Sequence, residues 1–358
     1  MKISICIVCM NRTMHLRESL PRNIRDNINY PNLEIVLLDY GSKDDMGEWV
    51  RSSLSRFLQS GVIRYFKNEE PEFFKISHAK NMAFKLATGD ILCSVDADNF
   101  TGQGFVEYVH DMFSRDEDIF LAAPPIGAKK KWWDVQGRIC LWKKDFCAVR
   151  GYDEQIIDYG YEDLDFKERL CGLGRVRTKI DNAEFLHAIK HDDRLRVIEG
   201  FSSKRLKEII VGEKCDATYE AICLHKDNQF ERFFIDLEDR YTLETLHCIK
   251  NPALDGIKYL RHGEYRTMED RICLFNKNQS VFLDLQRVGN EGFLSDDHRR
   301  FFKLPSGDLL DKIMMERAIH MGRQKILQNR KHPHPVNVEG FGRGSVYLNF
   351  SNRKIEVI

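Results

Sequence analysis

Over its first 125 residues the chain alternates wholly apolar runs with segments of helical spacing, and this restricts the fold more than any other feature. Ile3-Ser4-Ile5-Cys6-Ile7-Val8-Cys9 and Leu33-Glu34-Ile35-Val36-Leu37-Leu38 lack the in-out alternation of a half-exposed strand, so both are expected to be covered on two faces. Met46, Trp49, Val50, Leu54, Phe57 and Leu58 recur at helical spacing, and Gly61 is placed to end that helix. A short strand follows over Val62 to Phe66. Ser77 is expected to cap a helix whose apolar face is Ala79, Met82, Ala83 and Leu86, with Gly89 ending it before the next apolar run. Strand-helix-strand units with short links predict a mostly parallel sheet with right-handed crossovers, whose ligands bind beyond the carboxyl ends of the strands.

Three polar strand ends fall at that edge: Met10-Asn11-Arg12, Asp39, and Asp96-Ala97-Asp98-Asn99. The last is the most chemical. An apolar strand that stops at two carboxylates one residue apart delivers hard oxygen ligands where a divalent cation on a diphosphate would sit. Asp and Asn also end strands because they favour turns, so the surrounding segments decide between the two readings.

A length of 358 residues suggests two domains, or one large α/β domain with an appendage. With 31% charged residues and zero formal net charge there is no general attraction for polyanions, and no nucleic-acid partner is expected. The apolar stretch Ile3 to Met10 is too short for a membrane span and has no signal-peptide cleavage site, so a cytoplasmic location is expected. Cys6 and Cys9 lie three apart on a strand and point to opposite faces, which argues against a shared zinc.

After Pro124-Pro125 the pattern changes to a loop with Lys129 to Lys131, Trp132 and Trp133, then a short strand near Arg138 to Leu141. The tryptophans either stack on a sugar face or plug the core, and the lysines read as a solvated charge run. A helix is expected to begin at Glu162, after Tyr159-Gly160-Tyr161, with Glu162 and Asp163 in its first turn. Carboxylates there are held ionised by the helix dipole, which suits Asp163 to accept a proton. From about Glu199 the periodicity is mixed, with a helix candidate over Leu309 to Lys325 and a terminal hairpin about Ser351-Asn352.

Ser4 to Arg12, Val36-Leu37-Leu38-Asp39-Tyr40-Gly41-Ser42-Lys43-Asp44, His78-Ala79-Lys80-Asn81-Met82-Ala83, Ala87-Thr88-Gly89-Asp90-Ile91 and the Asp-Ala-Asp run together resemble the family 2 glycosyltransferases of the GT-A fold. The family usually has a second Asp where Tyr40 stands and Arg where Lys80 stands. The resemblance implies a Rossmann-like, mostly parallel nucleotide-diphospho-sugar transferase sheet with an additional C-terminal α+β region. The implied domains are a catalytic one over 1–198, divided into a nucleotide-sugar part (1–125) and an acceptor part (126–198), and a region of unassigned role over 199–358.

In such an enzyme Met10, Asn11, Arg12, Asp39, Lys80, Asn81 and Asp96 would address a UDP-sugar, Asp39 at the uracil edge. Asp96 and Asp98, joined by His187 or His191, would hold Mn2+ or Mg2+. Arg150-Gly151-Tyr152-Asp153-Glu154 with Tyr159 to Phe166 looks like the C-terminal motif of β-1,4-galactosyltransferases and bacterial chondroitin-type polymerases. That likeness implies Asp163 as general base and Glu162, Tyr161, Trp132 and Trp133 at the acceptor. The expected activity is inverting transfer of a hexose, galactose or N-acetylgalactosamine, to a saccharide or lipid-linked saccharide acceptor in bacterial surface polysaccharide synthesis. The basic stretch Arg323 to Lys331 allows a peripheral contact with the inner membrane face. The rival readings are a nucleotide-sugar binder without turnover and a sugar nucleotidyltransferase. The second normally carries a Gly-rich phosphate loop after the first strand, and Met10-Asn11-Arg12-Thr13-Met14 has none.

Overall fold

The computed structural model describes residues 1–126, 132–215, 217–237, 254–331 and 335–358, and the run Lys129 to Lys131 lies outside them. The chain divides into two compact units, Met1–His191 with Lys325–Ile358, and Asp192–Gln324.

In the first unit β1 (Ile3–Cys9) and β2 (Leu33–Tyr40) are buried at every position, as their unbroken apolar runs require. They belong to a parallel core with β3 (Ile63–Asn68) and β4 (Ile91–Ser94) in the order β3-β2-β1-β4. The two-residue strand β5 (Asn99–Phe100) lies outside this sheet. Beyond β4 come β7 (Ile139–Trp142), antiparallel to it, then β6 (Ile119–Ala122) and β8 (Val176–Lys179). A second two-residue strand, β9 (His187–Ala188), pairs with β5.

Successive residues of β1 feed opposite cores. Ile3, Ile5, Ile7 and Cys9 pack on one side with Leu16, Leu20 and Ile24, while Cys6 and Val8, with Met10 just past the strand, pack on the other with Ala79, Met82 and Ala83. Cys6 and Cys9 therefore face opposite sides of the sheet. Each fully buried Ile, Leu or Val contributes about 1.5–3 kcal/mol, so a polar substitution in β1 or β2 is among the most damaging available.

Local details differ from the sequence pattern. The helix expected over Met46 to Leu58 is two short ones, Met46–Ser53 and Ser55–Gln59. Ser77 is not a cap: the helix Ile76–Leu86 follows Lys75, and the Ser77 hydroxyl donates to the Ile156 carbonyl at 3.2 Å.

The second unit contains a closed antiparallel barrel, eight described strands from β10 (Leu206–Cys215) to β17 (Arg300–Leu304), which pair with each other to close it. Its interior cluster includes Ile210, Ile222, Leu224, Phe230, Leu274, Leu285 and Phe301. The strand signal in the sequence is blurred by Glu220 and Glu231, which are buried at core-like positions. Glu220 accepts from Arg232 at 2.6 Å and Arg299 at 2.7 Å, and Glu231 accepts from Arg317, so each buried carboxylate has a cationic partner. Among the described residues no helix is long and apolar enough to cross a membrane.

The helix Asp308–Lys331 ends within the first unit, where Lys325 donates to Gln155 and Arg330 pairs with Glu168. The last residues then return to the first sheet. β18 (Gly344–Leu348) pairs antiparallel with β3, and β19 (Lys354–Val357) with β18. Asn349, at the left-handed φ of 46° that Asn tolerates, accepts from the Tyr65 amide at 2.9 Å and returns its own amide to the Tyr65 carbonyl at 2.8 Å. Replacing it with Ala removes a side-chain acceptor and adds backbone strain. Asn349→Ala is expected to cost about 1–3 kcal/mol in urea unfolding of the full chain. An unchanged urea midpoint would mean that the terminal strands do not contribute to the folded core.

Candidate active site

At the carboxyl edge of the parallel strands, the loops after β1 and β2 are tied to each other. Asn11, at φ 54°, accepts from the Lys43 amide at 2.6 Å and donates its own amide to Ser42 Oγ at 3.0 Å. Asp39 bridges the loop that follows it, its Oδ1 accepting from the Ser42 amide at 2.9 Å, and its Oδ2 accepts from the Tyr65 hydroxyl at 2.6 Å. Burial pushes the Asp39 carboxyl upward, against the pull of these bonds. The turn-forming reading of Asp39 thus describes its contacts here. Phe350 stacks on Tyr65 with ring centroids 4.7 Å apart, so the end of the chain supports the carboxylate through the phenol.

The Asp96–Asn99 turn is fixed from below by residues that the sequence reading did not single out. Ser19, Asn23 and Asn27 lie four apart on one face of the helix Thr13–Asn27. Ser19 Oγ donates to the Ala97 carbonyl at 2.5 Å, Asn23 Nδ2 to the Asn99 carbonyl at 2.9 Å, and Asn27 Nδ2 to Thr101 Oγ1 at 2.8 Å. Arg138, fully buried, donates to the Phe185 and Phe100 carbonyls and to Asn99 Oδ1. The signal available in the sequence was a stripe of small polar residues at helical spacing where an amphipathic helix should bury apolar ones.

The two aspartates of that turn have separate surroundings. Asp98 Oδ2 lies 2.7 Å from His191 Nε2, and its Oδ1 accepts from Asn99 Nδ2 at 2.8 Å. Burial raises the Asp98 carboxyl, but the bond to His191 and nearby positive charge, that of Arg12 included, outweigh it and hold the group below its ordinary value. His187 does not join this pair: it is exposed and sits in β9 opposite Phe100. Asp96 is turned toward Lys80, and a Cβ added at Gly137 would lie 2.5 Å from its Oδ2. Of the four residues expected around a cation, the structure pairs Asp98 with His191 and directs Asp96 and His187 elsewhere. Among the described residues, no three His, Cys, Asp or Glu side chains are gathered so as to hold a metal by themselves. Asp98 and His191 together would offer an oxygen and a nitrogen donor to a divalent cation.

The Glu162–Asp163 motif converges on Lys80. Tyr161, at a left-handed φ of 71°, precedes the helix Glu162–Gly172, whose first turn holds Glu162, Asp163 and Asp165. Lys80 Nζ lies 2.8 Å from Asp163 Oδ1, 3.8 Å from Asp96 Oδ1 and 3.9 Å from Glu162 Oε1, and its side chain is only 2% exposed. A buried ammonium among three carboxylates keeps its proton, since the charges around it outweigh the cost of burial. Glu162 is raised to about 7, by burial first and by the neighbouring Asp163 second, although its Oε2 accepts from the Gly160 amide at 3.0 Å.

Asn81 is a brace. Its Nδ2 donates to the Tyr152 carbonyl and to Glu154, each at 2.9 Å, and its Oδ1 accepts from the Tyr152 amide at 2.7 Å. Gly151, at φ 67°, has no space for a side chain because a Cβ would collide with that amide. Trp132 is half-buried against the core, as a plug would be, and the side chain of Trp133 lies outside the described residues.

Part of the chain is similar in sequence to known proteins. Residues 4–165 fit the model of glycosyl transferase family 2. The curated glycosyltransferase GlyG of Streptococcus pneumoniae serotype 4 (strain ATCC BAA-334 / TIGR4) is 26% identical over 167 residues, 46% of this chain and 52% of GlyG. The chain thus spans about half the length of that relative. Among solved structures, the mannosyltransferase PcManGT from Pyrobaculum calidifontis, in complex with GDP-Man and Mn2+, is similar with a TM-score of 0.44 and 17% identity, over 53% of this chain and 57% of that one. TarS 1–349 of S. aureus in complex with UDP has a TM-score of 0.44 and 13% identity, over 55% and 62%.

The raised Glu162 carboxyl has a consequence for stability. Its folded value lies above the unfolded one, so between about pH 4.5 and 7 the native state keeps a proton that the unfolded chain has lost, and stability falls as pH rises through that window. Glu162→Gln removes this penalty. The variant is expected to exceed the parent by on the order of 2–3 kcal/mol at pH 8, with the gap closing toward pH 5. Urea unfolding at both pH values measures it, and a gap independent of pH would exclude Glu162 as the titrating group. Over residues 4–165 the chain is similar to glycosyl transferase family 2.

Proposed function

We propose that the protein is an inverting glycosyltransferase that moves a hexose from a UDP-sugar to a saccharide hydroxyl, galactose and N-acetylgalactosamine being favoured by the Glu-Asp motif. One observation carries the reading: Asp163, at the start of the acceptor-side helix, shares a single ammonium with Asp96 of the donor-side turn. Two motifs far apart in sequence thus form one cluster, as a reaction between two bound sugars requires.

Asp163 takes the proton of the acceptor hydroxyl as that oxygen attacks the anomeric carbon. The new carbon–oxygen bond forms on the face opposite UDP, and the bond to the diphosphate breaks with its electron pair leaving on UDP. Glu162, half protonated near neutral pH, is able to donate a hydrogen bond to an acceptor hydroxyl as well as to accept one. Asp98 and His191 would hold Mn2+ or Mg2+, which when bound supplies positive charge to the departing diphosphate. Asn11, Arg12 and Asp39 are the candidates for the nucleoside, and the acceptor is expected to belong to a surface polysaccharide or its lipid-linked precursor.

General-base catalysis is worth ~10²–10⁴-fold, so Asp163→Asn should lose that factor in UDP release from UDP-galactose or UDP-N-acetylgalactosamine with Mn2+, while UDP still binds. Full turnover in that variant refutes the assignment of the base. UDP binding by the parent, with no turnover of any UDP-hexose, would instead support a binding protein. Cation binding is tested separately by electron paramagnetic resonance of free Mn2+ in the presence of UDP. Asp98→Ala and His191→Ala should each weaken Mn2+ binding by about tenfold or more, and His187→Ala should leave it unchanged. Equal weakening in all three would place the ion elsewhere.

A further inference from the structure

We propose that Lys80 positions the proton acceptor and does not bind the donor: its ammonium holds Asp163 through Oδ1, leaving Oδ2 to receive the acceptor hydroxyl. The inference rests on the reading of Asp163 as the base, and it assigns Lys80 a different part from the donor contact that the family resemblance implies.

The geometry carries it. Lys80 stands in the middle of the helix Ile76–Leu86, beside Asn81, which is committed to the backbone of Tyr152. The lysine stem is therefore held in place by its own neighbour. The ammonium donates to Asp163 Oδ1 at 2.8 Å, while Asp96 and Glu162 stand at ion-pair distances of 3.8 and 3.9 Å. Its fourth neighbour is the Tyr152 ring, whose centroid is 5.2 Å away. A diphosphate would have to draw this buried cation away from all three carboxylates, at the cost of leaving them close together and uncompensated. The Asp163 side chain is 15% exposed against 2% for Lys80, so the carboxylate and not the ammonium is the group open to an incoming hydroxyl. A merely structural lysine would be satisfied equally well by carbonyls. Here the closest partner is the residue assigned to chemistry.

Three variants of the full chain test this: Lys80→Met, Lys80→Arg and Lys80→Ala, the last with and without added ethylammonium. The readouts are the Kd of UDP with Mn2+ by calorimetry, and kcat for UDP release with water as acceptor from the UDP-hexose the parent turns over best. In Lys80→Met, kcat should fall by about 100-fold or more while the Kd of UDP stays within about threefold. Ethylammonium should restore at least about tenfold of kcat to Lys80→Ala in a saturable manner that KCl does not reproduce, and Lys80→Arg should retain more kcat than Lys80→Met. A UDP Kd weakened about tenfold or more would make Lys80 a donor ligand and overturn the proposal. A joint loss of kcat, UDP binding and melting temperature, with no rescue, would make it a structural residue and overturn it equally. An inactive Asp163→Asn beside a fully active Lys80→Met defeats this inference alone, whereas a fully active Asp163→Asn defeats the reading on which it rests.

Discussion

A buried ammonium surrounded by carboxylates holds the candidate site together. Lys80 links the turn after β4 to the first turn of the helix Glu162–Gly172, and its buried charge offsets the mutual repulsion of Asp96, Glu162 and Asp163. The remainder of the unit serves that juxtaposition. Two apolar layers fix the parallel strands, and the strands bring their polar ends to one edge. Ser19, Asn23, Asn27 and Arg138 then lock the backbone of the turn that carries Asp96 and Asp98. Catalytic geometry is sensitive to displacements of about 1 Å, and this dense bracing is the physical means of limiting them.

The arrangement also separates the charges by task. Asp98 is paired with His191 and held below its ordinary value, the charge state that the proposed cation ligand needs. Glu162 is pushed up to about 7 by burial and by Asp163, which lets it carry a proton near neutral pH. Neighbouring acids in different environments are the general route by which one site both gives and takes hydrogen bonds.

Much of this was legible in the sequence where local pattern and burial agree. The doubly apolar runs of β1 and β2, the strand that stops at Ser94 just before Asp96, and the helix start at Glu162 all follow from spacing alone. What could not be read was side-chain partnership. Whether His187 or His191 reaches Asp98 depends on the path of the chain after the short strand β9, which no periodicity encodes. Lys80 looked like a donor contact because its neighbours in sequence belong to the donor motif, yet its neighbours in space come mainly from the acceptor motif. Distant segments were harder still. Asn349 and Phe350 support Tyr65, and through it Asp39, from nearly three hundred residues away. The barrel was obscured because Glu220 and Glu231 interrupt its apolar alternation and only their arginine partners make that interruption affordable.

The central claim is that donor chemistry and proton acceptance meet at this one cluster. Its most direct test is a crystal structure of the chain with UDP and Mn2+. The account predicts a cation bound by Asp98 and His191 together with the diphosphate, and an Asp163 carboxylate still held by Lys80 and facing the space where the hexose ends. A cation seated on Glu162 and Asp163, or UDP bound away from the Asp96–Asn99 turn, would contradict it.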